Sequence, residues 1–164
     1  MSIKIKVDAR GPLELIKKLK KEMKEAPHGA KAGYYAGERH KDENGKEQPL
    51  ISDIALWNEF GVPEKKIPPR PFLRNAKKKM NKRAHQIITA GLQDEKKLDV
   101  IMKEVAQEIR NQIVESIKSN TPPPNKPSTI RQKHGSTGTL RDTGQLMNSV
   151  HAAIVKGKTE TEIE

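Results

Sequence analysis

Between Glu95 and Ser119, the residues Leu98, Ile101, Met102, Val105, Ile109, Ile113 and Ile117 recur at intervals of three or four. That is the period of one face of an α-helix. At 1.5 Å per residue such a helix is about 37 Å long, the width of a small domain. Thr121-Pro122-Pro123-Pro124 then stops it abruptly. Proline lacks the amide hydrogen that a helix interior needs and clashes with the preceding turn. A chain of 164 residues is therefore obliged to organise around one long helix with a single apolar stripe. Three heptads are short for a free-standing coiled coil, so the stripe is expected to lie across a sheet.

The remaining segments supply that sheet. Ile3, Ile5 and Val7 alternate with polar residues, as a half-buried strand requires. Gly11-Pro12 breaks it, and a helix over roughly 12–25 follows, with Leu13, Ile16, Leu19 and Met23 on one face. Ala30 to Ala36 reads as a second strand, and 37–49 as a polar hairpin tip or loop around Asn44-Gly45. Ser52 or Asp53 is positioned to cap a short helix carrying Ile54, Leu56, Trp57 and Phe60, which Gly61 ends. Ile67-Pro68-Pro69-Arg70-Pro71 forms a stiff extended elbow, because residues before proline avoid helical geometry. From Phe72 the pattern is helical again and is expected to end at Gly91. Residues 120–139 read as a long loop, Asp142-Thr143-Gly144 as the start of a short helical turn, and Val150 onward as a strand with Thr159–Ile163 as its hairpin partner. The order favours a single α+β domain over 1–164, with a small mixed or antiparallel sheet packed against the long amphipathic helix and shorter helices.

Composition limits how that core is made. Apolar residues are 33% of the chain and charged residues 32%. A core this lean is thin or is completed by neighbouring subunits. The aromatics Tyr34, Tyr35, Trp57, Phe60 and Phe72 all lie between positions 34 and 72, which concentrates folding or docking in the middle of the chain. The absence of cysteine excludes disulfides, thiolate metal sites and a cysteine nucleophile. No apolar run approaches the ~20 residues of a membrane span, and the alternating N-terminus lacks the apolar core of a signal peptide.

Catalytic groups do not assemble in the sequence. His28, His40, His85, His134 and His151 have no metal-ligand spacing. Glu104 and Glu108 sit four apart on the long helix among Lys103 and Arg110, the pattern of a solvated face. Lys133 to Thr139 is rich in glycine and hydroxyls but lacks the phosphate-loop spacing, and no serine has a nucleophile-elbow context. The chain is read as a non-enzyme with no cofactor and no metal.

Charge is the feature that speaks of partners. The net charge is +11, and between Lys65 and Arg83 there are nine basic residues and no acidic one. Lys77, Lys78, Lys79, Lys82 and Arg83 would share one helix. The bland reading is a solvated lysine-rich face; the functional readings are nucleic-acid contact or docking on an acidic protein ring. With no interleaved aromatics for base stacking, any DNA contact would be to the backbone, without sequence preference.

Three stretches resemble a family of tail-component and virion-morphogenesis proteins of tailed bacteriophages. They are Ile54-Ala55-Leu56-Trp57-Asn58-Glu59-Phe60-Gly61, then Ile67-Pro68-Pro69-Arg70-Pro71-Phe72-Leu73-Arg74, then Thr121 to Lys133 closing on Leu140-Arg141-Asp142-Thr143-Gly144-Gln145-Leu146-Met147-Asn148-Ser149-Val150. Thr139-Leu140 stands where that family often has Pro-Leu. The resemblance implies a structural protein of the virion neck or tail, assembled in the host bacterial cytoplasm, which completes the tail or joins it to the head as a ring. Implied partners are copies of itself and neighbouring neck or tail proteins, with non-specific DNA contact possible and no membrane. Beside the resemblance, the residues themselves lead to the expectation that the elbow brings Phe72 against Trp57 and Phe60, and that Arg70 and Arg74, flanking this anchor, pair with acidic partners as arginines commonly do at interfaces. Asp142 and Thr143 are expected to cap the last helical turn, with Gly144 relieving crowding and Leu146 following at the contact. The alternatives are a basic nucleic-acid-binding protein outside the virion and a phage factor directed at one host protein.

Overall fold

The computed structural model describes residues 26–27, 29–39, 48–133, 138–156 and 159–163, the last as backbone. The expected strand at 3–7 and helix at 12–25 lie outside these residues, as do 40–47 and 134–137 of the two polar segments. The described elements are strand β1 (Gly29–Gly33), helix α1 (Ile51–Phe60), a 3-10 turn (Pro63–Lys65), helix α2 (Phe72–Gln93), helix α3 (Leu98–Lys118), short helices α4 (Pro127–Gln132) and α5 (Gln145–Asn148), and strands β2 (His151–Lys156) and β3 (Thr159–Ile163).

The fold is α+β. The strands form an antiparallel sheet in the order β1-β2-β3. Ala30 pairs with Ile154 and Ala32 with Ala152 across β1 and β2, and Ala153 pairs with Glu162 across β2 and β3. The expected hairpin of the last two strands is present. The first of the described strands ends at Gly33, before the tyrosines that the sequence reading had included in it.

The apolar stripe does what its period requires. Ile101, Val105, Ile113 and Ile117 of α3 are buried. α3 lies over β1 and β2 on one side and against α2 on the other. At the sheet the contact is made by small residues: Ala106 is fully buried with Ala152 and Ile154, and Ala30, Ala32 and Met102 flank them. Short side chains let the helix approach the strands closely. Nearer its C-terminus α3 contributes Ile113 and Ile117 to a second cluster with Ala55, Phe72, Ala76, Leu140 and Val150. Arg110 fixes the register between the two layers by donating from Nε to the Val150 carbonyl at 2.8 Å.

Two helix boundaries differ from the sequence reading. Neither Ser52 nor Asp53 caps α1; the cap position is Leu50, and the amide of Ile51 donates instead to the Glu38 carbonyl at 2.8 Å. A backbone acceptor from the preceding loop satisfies the first orphan donor, so no side-chain cap is needed there. Gly91 does not end α2. It is buried inside the helix, and a Cβ at this position would stand 2.6 Å from Cγ1 of Ile101. Glycine is there because α2 and α3 approach closely. The helix ends two residues later in a Schellman arrangement, with Glu95 at φ 53°, its amide donating to Leu92 and that of Lys96 to Gly91. Gly61, by contrast, ends α1 as expected, at φ 78°. The long loop after the triple proline is not structureless: it contains α4, with Pro127 in its first turn.

Candidate functional site

The three motif stretches converge at the start of α2. Four backbone N–H groups at a helix N-terminus lack intrahelical partners, and the first turn of α2 contains no acidic residue that could serve them. The turn at Pro71 supplies the first acceptor, as Phe72 donates to the Arg70 carbonyl at 2.8 Å. The others come from α1. Glu59 is 1% exposed, and its carboxylate accepts from the amide of Leu73 at 2.8 Å and that of Arg74 at 3.2 Å. The Arg74 side chain folds back, donating from Nε to Glu59 Oε1 at 2.8 Å and from Nη2 to the Glu59 carbonyl at 3.0 Å. One buried carboxylate therefore caps α2 from a neighbouring helix, where the helix dipole also favours negative charge.

The elbow is bound on its other side as well. The Arg70 amide donates to the Asn58 carbonyl at 2.6 Å, and Gly61 leaves room for the chain, since a Cβ there would stand 2.8 Å from the nitrogen of Pro69. The Arg70 guanidinium is not presented to a partner. It is 6% exposed and donates to the Pro123 carbonyl and to Asn125 Oδ1, both at 3.0 Å. Asn125 in turn donates to the Gly138 carbonyl at 3.1 Å. Lys133 Nζ donates to the carbonyls of Gly138, Thr139 and Arg141. Glu59 thus locks the first motif to the second, Arg70 locks the second to the third, and Lys133 folds the third onto itself. Burial pushes the Arg70 and Lys133 pKa values down, and for Lys133 the nearby Asp142 carboxylate acts in the opposite direction.

The anticipated aromatic anchor is not assembled. Phe72 is fully buried in the core cluster with Ala55, Ala76 and Ile117. Phe60 is 64% exposed, its ring 5.4 Å from the Arg74 guanidinium. Trp57 is half-buried, with Lys65 Nζ 4.0 Å from its ring centre. The cap of α5 is Gly144 at φ 82°, with no side-chain cap bond, in place of the Asp142 and Thr143 expected; the Thr143 hydroxyl accepts only a long 3.4 Å bond from the Gln145 amide. Leu146 packs against the core cluster. The basic helix face divides: Arg83 pairs with Glu108 of α3 at 3.4 Å, while Lys77, Lys78, Lys79 and Lys82 are exposed with no acidic partner among the described residues. Glu104 pairs with Lys96, so Glu104 and Glu108, the two carboxylates four apart on the long helix, are both in ion pairs.

A cleft of about 610 Å³ opens at this junction, between α1, the elbow, the segment after the triple proline and the turn into α5. Its wall includes Ile54, Trp57, Ile67, Pro68, Leu140 and Leu146. Among the described residues, no three His, Asp or Glu side chains are grouped to share a metal ion, and no helix is long and apolar enough to cross a membrane. Sequence reasoning missed the roles of Glu59, Asn125 and Lys133. The signal for Glu59 was a carboxylate at the end of α1, flanked by apolar and aromatic residues, ahead of a second helix whose first turn carries no acidic residue of its own. Compared with protein-family models, curated proteins and solved structures, the chain matches none.

Proposed function

We propose that this chain is a structural virion protein of a tailed bacteriophage or prophage, completing the tail or joining head to tail as a ring. One observation carries the reading. The third stretch that resembles the phage family lies about fifty residues beyond the other two, yet all three meet at one junction: Glu59 of the first holds Leu73 and Arg74 of the second, and Arg70 of the second holds Asn125 of the third. A chance resemblance would not be expected to select segments that depend on one another. The lean core fits a subunit whose surface is finished by neighbours, and exposed Leu56 and Phe60 on α1 offer apolar contact area for them. Fractionating tailed particles from cells that carry the gene tests this. The chain should co-purify with intact particles, and its deletion should leave particles with unfinished tails or unjoined heads. A chain found only as a free monomer, never in particles, overturns the reading.

A second reading is favoured by one feature, the row Lys77, Lys78, Lys79 and Lys82, whose charges are not paired among the described residues. A basic protein that binds nucleic acid outside the virion would show DNA affinity falling steeply with salt, and glutamine at these four positions would flatten that slope.

A further inference from the structure

We propose that the cleft at the motif junction receives an extended acidic segment of a neighbouring protein subunit. The proposal rests on the assembly reading and gives it a contact site.

The charges of the cleft are one-sided. Lys65, Lys66, Arg70, Lys126, Lys133 and Arg141 line it, against the single carboxylate of Asp142. Arg70 and Lys133 are the inner members, and among the described residues their hydrogen bonds go to carbonyl and amide oxygens, with no carboxylate directly bonded to either. Charges withdrawn from water normally sit against an opposite charge. Here neutral dipoles make the direct contacts, the two cations stand near enough to oppose one another, and Asp142 alone offsets the six basic residues, which leaves the cleft net positive. Lys66 and Lys126 stand exposed at the rim without an ion pair among the described residues. Two buried polar atoms on the same wall, Thr139 Oγ1 and Arg141 Nε, have no hydrogen-bond partner among the described residues. An incoming carboxylate supplies the countercharge that this group of cations lacks.

The other wall decides between anions. Ile54, Ile67, Pro68, Leu140 and Leu146 give it an apolar floor, and its volume is that of a cleft that envelops a ligand of many atoms. A small inorganic anion would leave that floor bare. A nucleic-acid strand would seek stacking platforms, and the one tryptophan on the wall, Trp57, already has Lys65 over its ring. An extended peptide places alternate side chains on opposite sides, so residues of alternating apolar and acidic character can meet the floor and the cations together.

Trp57 is the only tryptophan of the chain and reports on occupancy by its emission. The probe is a short peptide alternating Val and Glu, compared with one alternating Val and Gln, in about 0.1 M salt. The Glu peptide should shift Trp57 emission saturably and bind at least about tenfold more tightly than the Gln peptide. The variant K65Q/K66Q/K126Q, altered only at exposed positions, should lose about tenfold in affinity with an unchanged melting temperature, and K77Q/K78Q/K79Q on α2 should stay within about twofold. No binding, equal affinity for the two peptides, or equal losses in the two triple variants would overturn the proposal. So would inorganic phosphate that displaces the peptide at low millimolar concentration, or a short DNA strand that binds this cleft more tightly than the peptide does. Peptide binding by a chain that never enters particles would remove the assembly reading and leave the acidic-peptide site standing. A particle-bound chain that ignores the peptide would remove the site alone.

Discussion

The sheet-facing side of α3 and the junction at the start of α2 are both buried, yet they are built from opposite materials. The first is alanine, isoleucine and methionine, with Ala106 set against Ala152 and Ile154. The second is a carboxylate, a guanidinium, an ammonium and the backbone groups they hold. Apolar burial is non-directional and scales with area, so the first region specifies a layer and tolerates changes of detail. Hydrogen bonds to charged groups are directional and costly to leave unmade, so the second region specifies particular atoms. The difference assigns different work to the two: one holds the layers together, and the other sets how three chain segments meet around a cleft.

The largest effect is expected where the two regions touch. Phe72 is the first residue of α2 and is also fully buried against Ile113 and Ile117 of α3. Phe72→Ala should cost about 3–5 kcal/mol in chemical denaturation. A loss below about 1 kcal/mol would mean that the junction does not depend on the core beneath it. The sharpest comparison sets Glu59→Gln against Ile117→Val, both close in size to the residue replaced. Glu59→Gln turns one acceptor into a donor facing the amides of α2 and should cost about 2–3 kcal/mol, whereas Ile117→Val should cost about 1 kcal/mol. Equal losses would erase the distinction between directional and non-directional burial. Gly91→Ala tests the closeness of α2 and α3. Ile101 is fully buried and has little space to yield to the added methyl, so overpacking should cost about 1–3 kcal/mol, read from the same denaturation curves.

The smallest effect concerns Tyr34, whose hydroxyl is buried without a partner among the described residues and whose pKa is raised by desolvation. The folded protein keeps this phenol neutral, while in the unfolded chain it ionises near pH 10. Its contribution to stability is therefore present in full below about pH 10 and is lost as pH rises through the alkaline range. Tyr34→Phe should change stability at neutral pH by less than about 0.5 kcal/mol, and should lessen the alkaline decline in a melting-temperature series. An unchanged alkaline slope would show that the phenol is not held neutral in the fold.

Legibility followed the same division. The stripe from Leu98 to Ile117, the hairpin at the C-terminus and the stop at Gly61 were readable, because each depends on a local period or a local backbone requirement. The end of α2 was not readable, because Gly91 answers to Ile101 in another helix, and a glycine demanded by a close approach looks the same in sequence as one that ends a helix. Arg70 presented the same ambiguity. In sequence it stands in a basic run beside prolines, as an exposed interface residue would, and only the fold brings Pro123 and Asn125 to it.

By itself the sequence determined the class of fold and the place of its longest helix, since hydrophobic period and proline stops act over a few residues and need no knowledge of the rest of the chain. It also determined that the chain is strongly basic, with the excess concentrated between Lys65 and Arg83. Tertiary structure alone decided which of those charges are used inside the molecule. Arg70 and Arg74 are committed to the junction, Arg83 to Glu108, and the four lysines of α2 to the surface. The reason is physical: a charge acts on whatever stands within a few ångströms of it, and in this chain the hydrogen-bond partners of the Arg70 guanidinium are more than fifty residues away along the sequence.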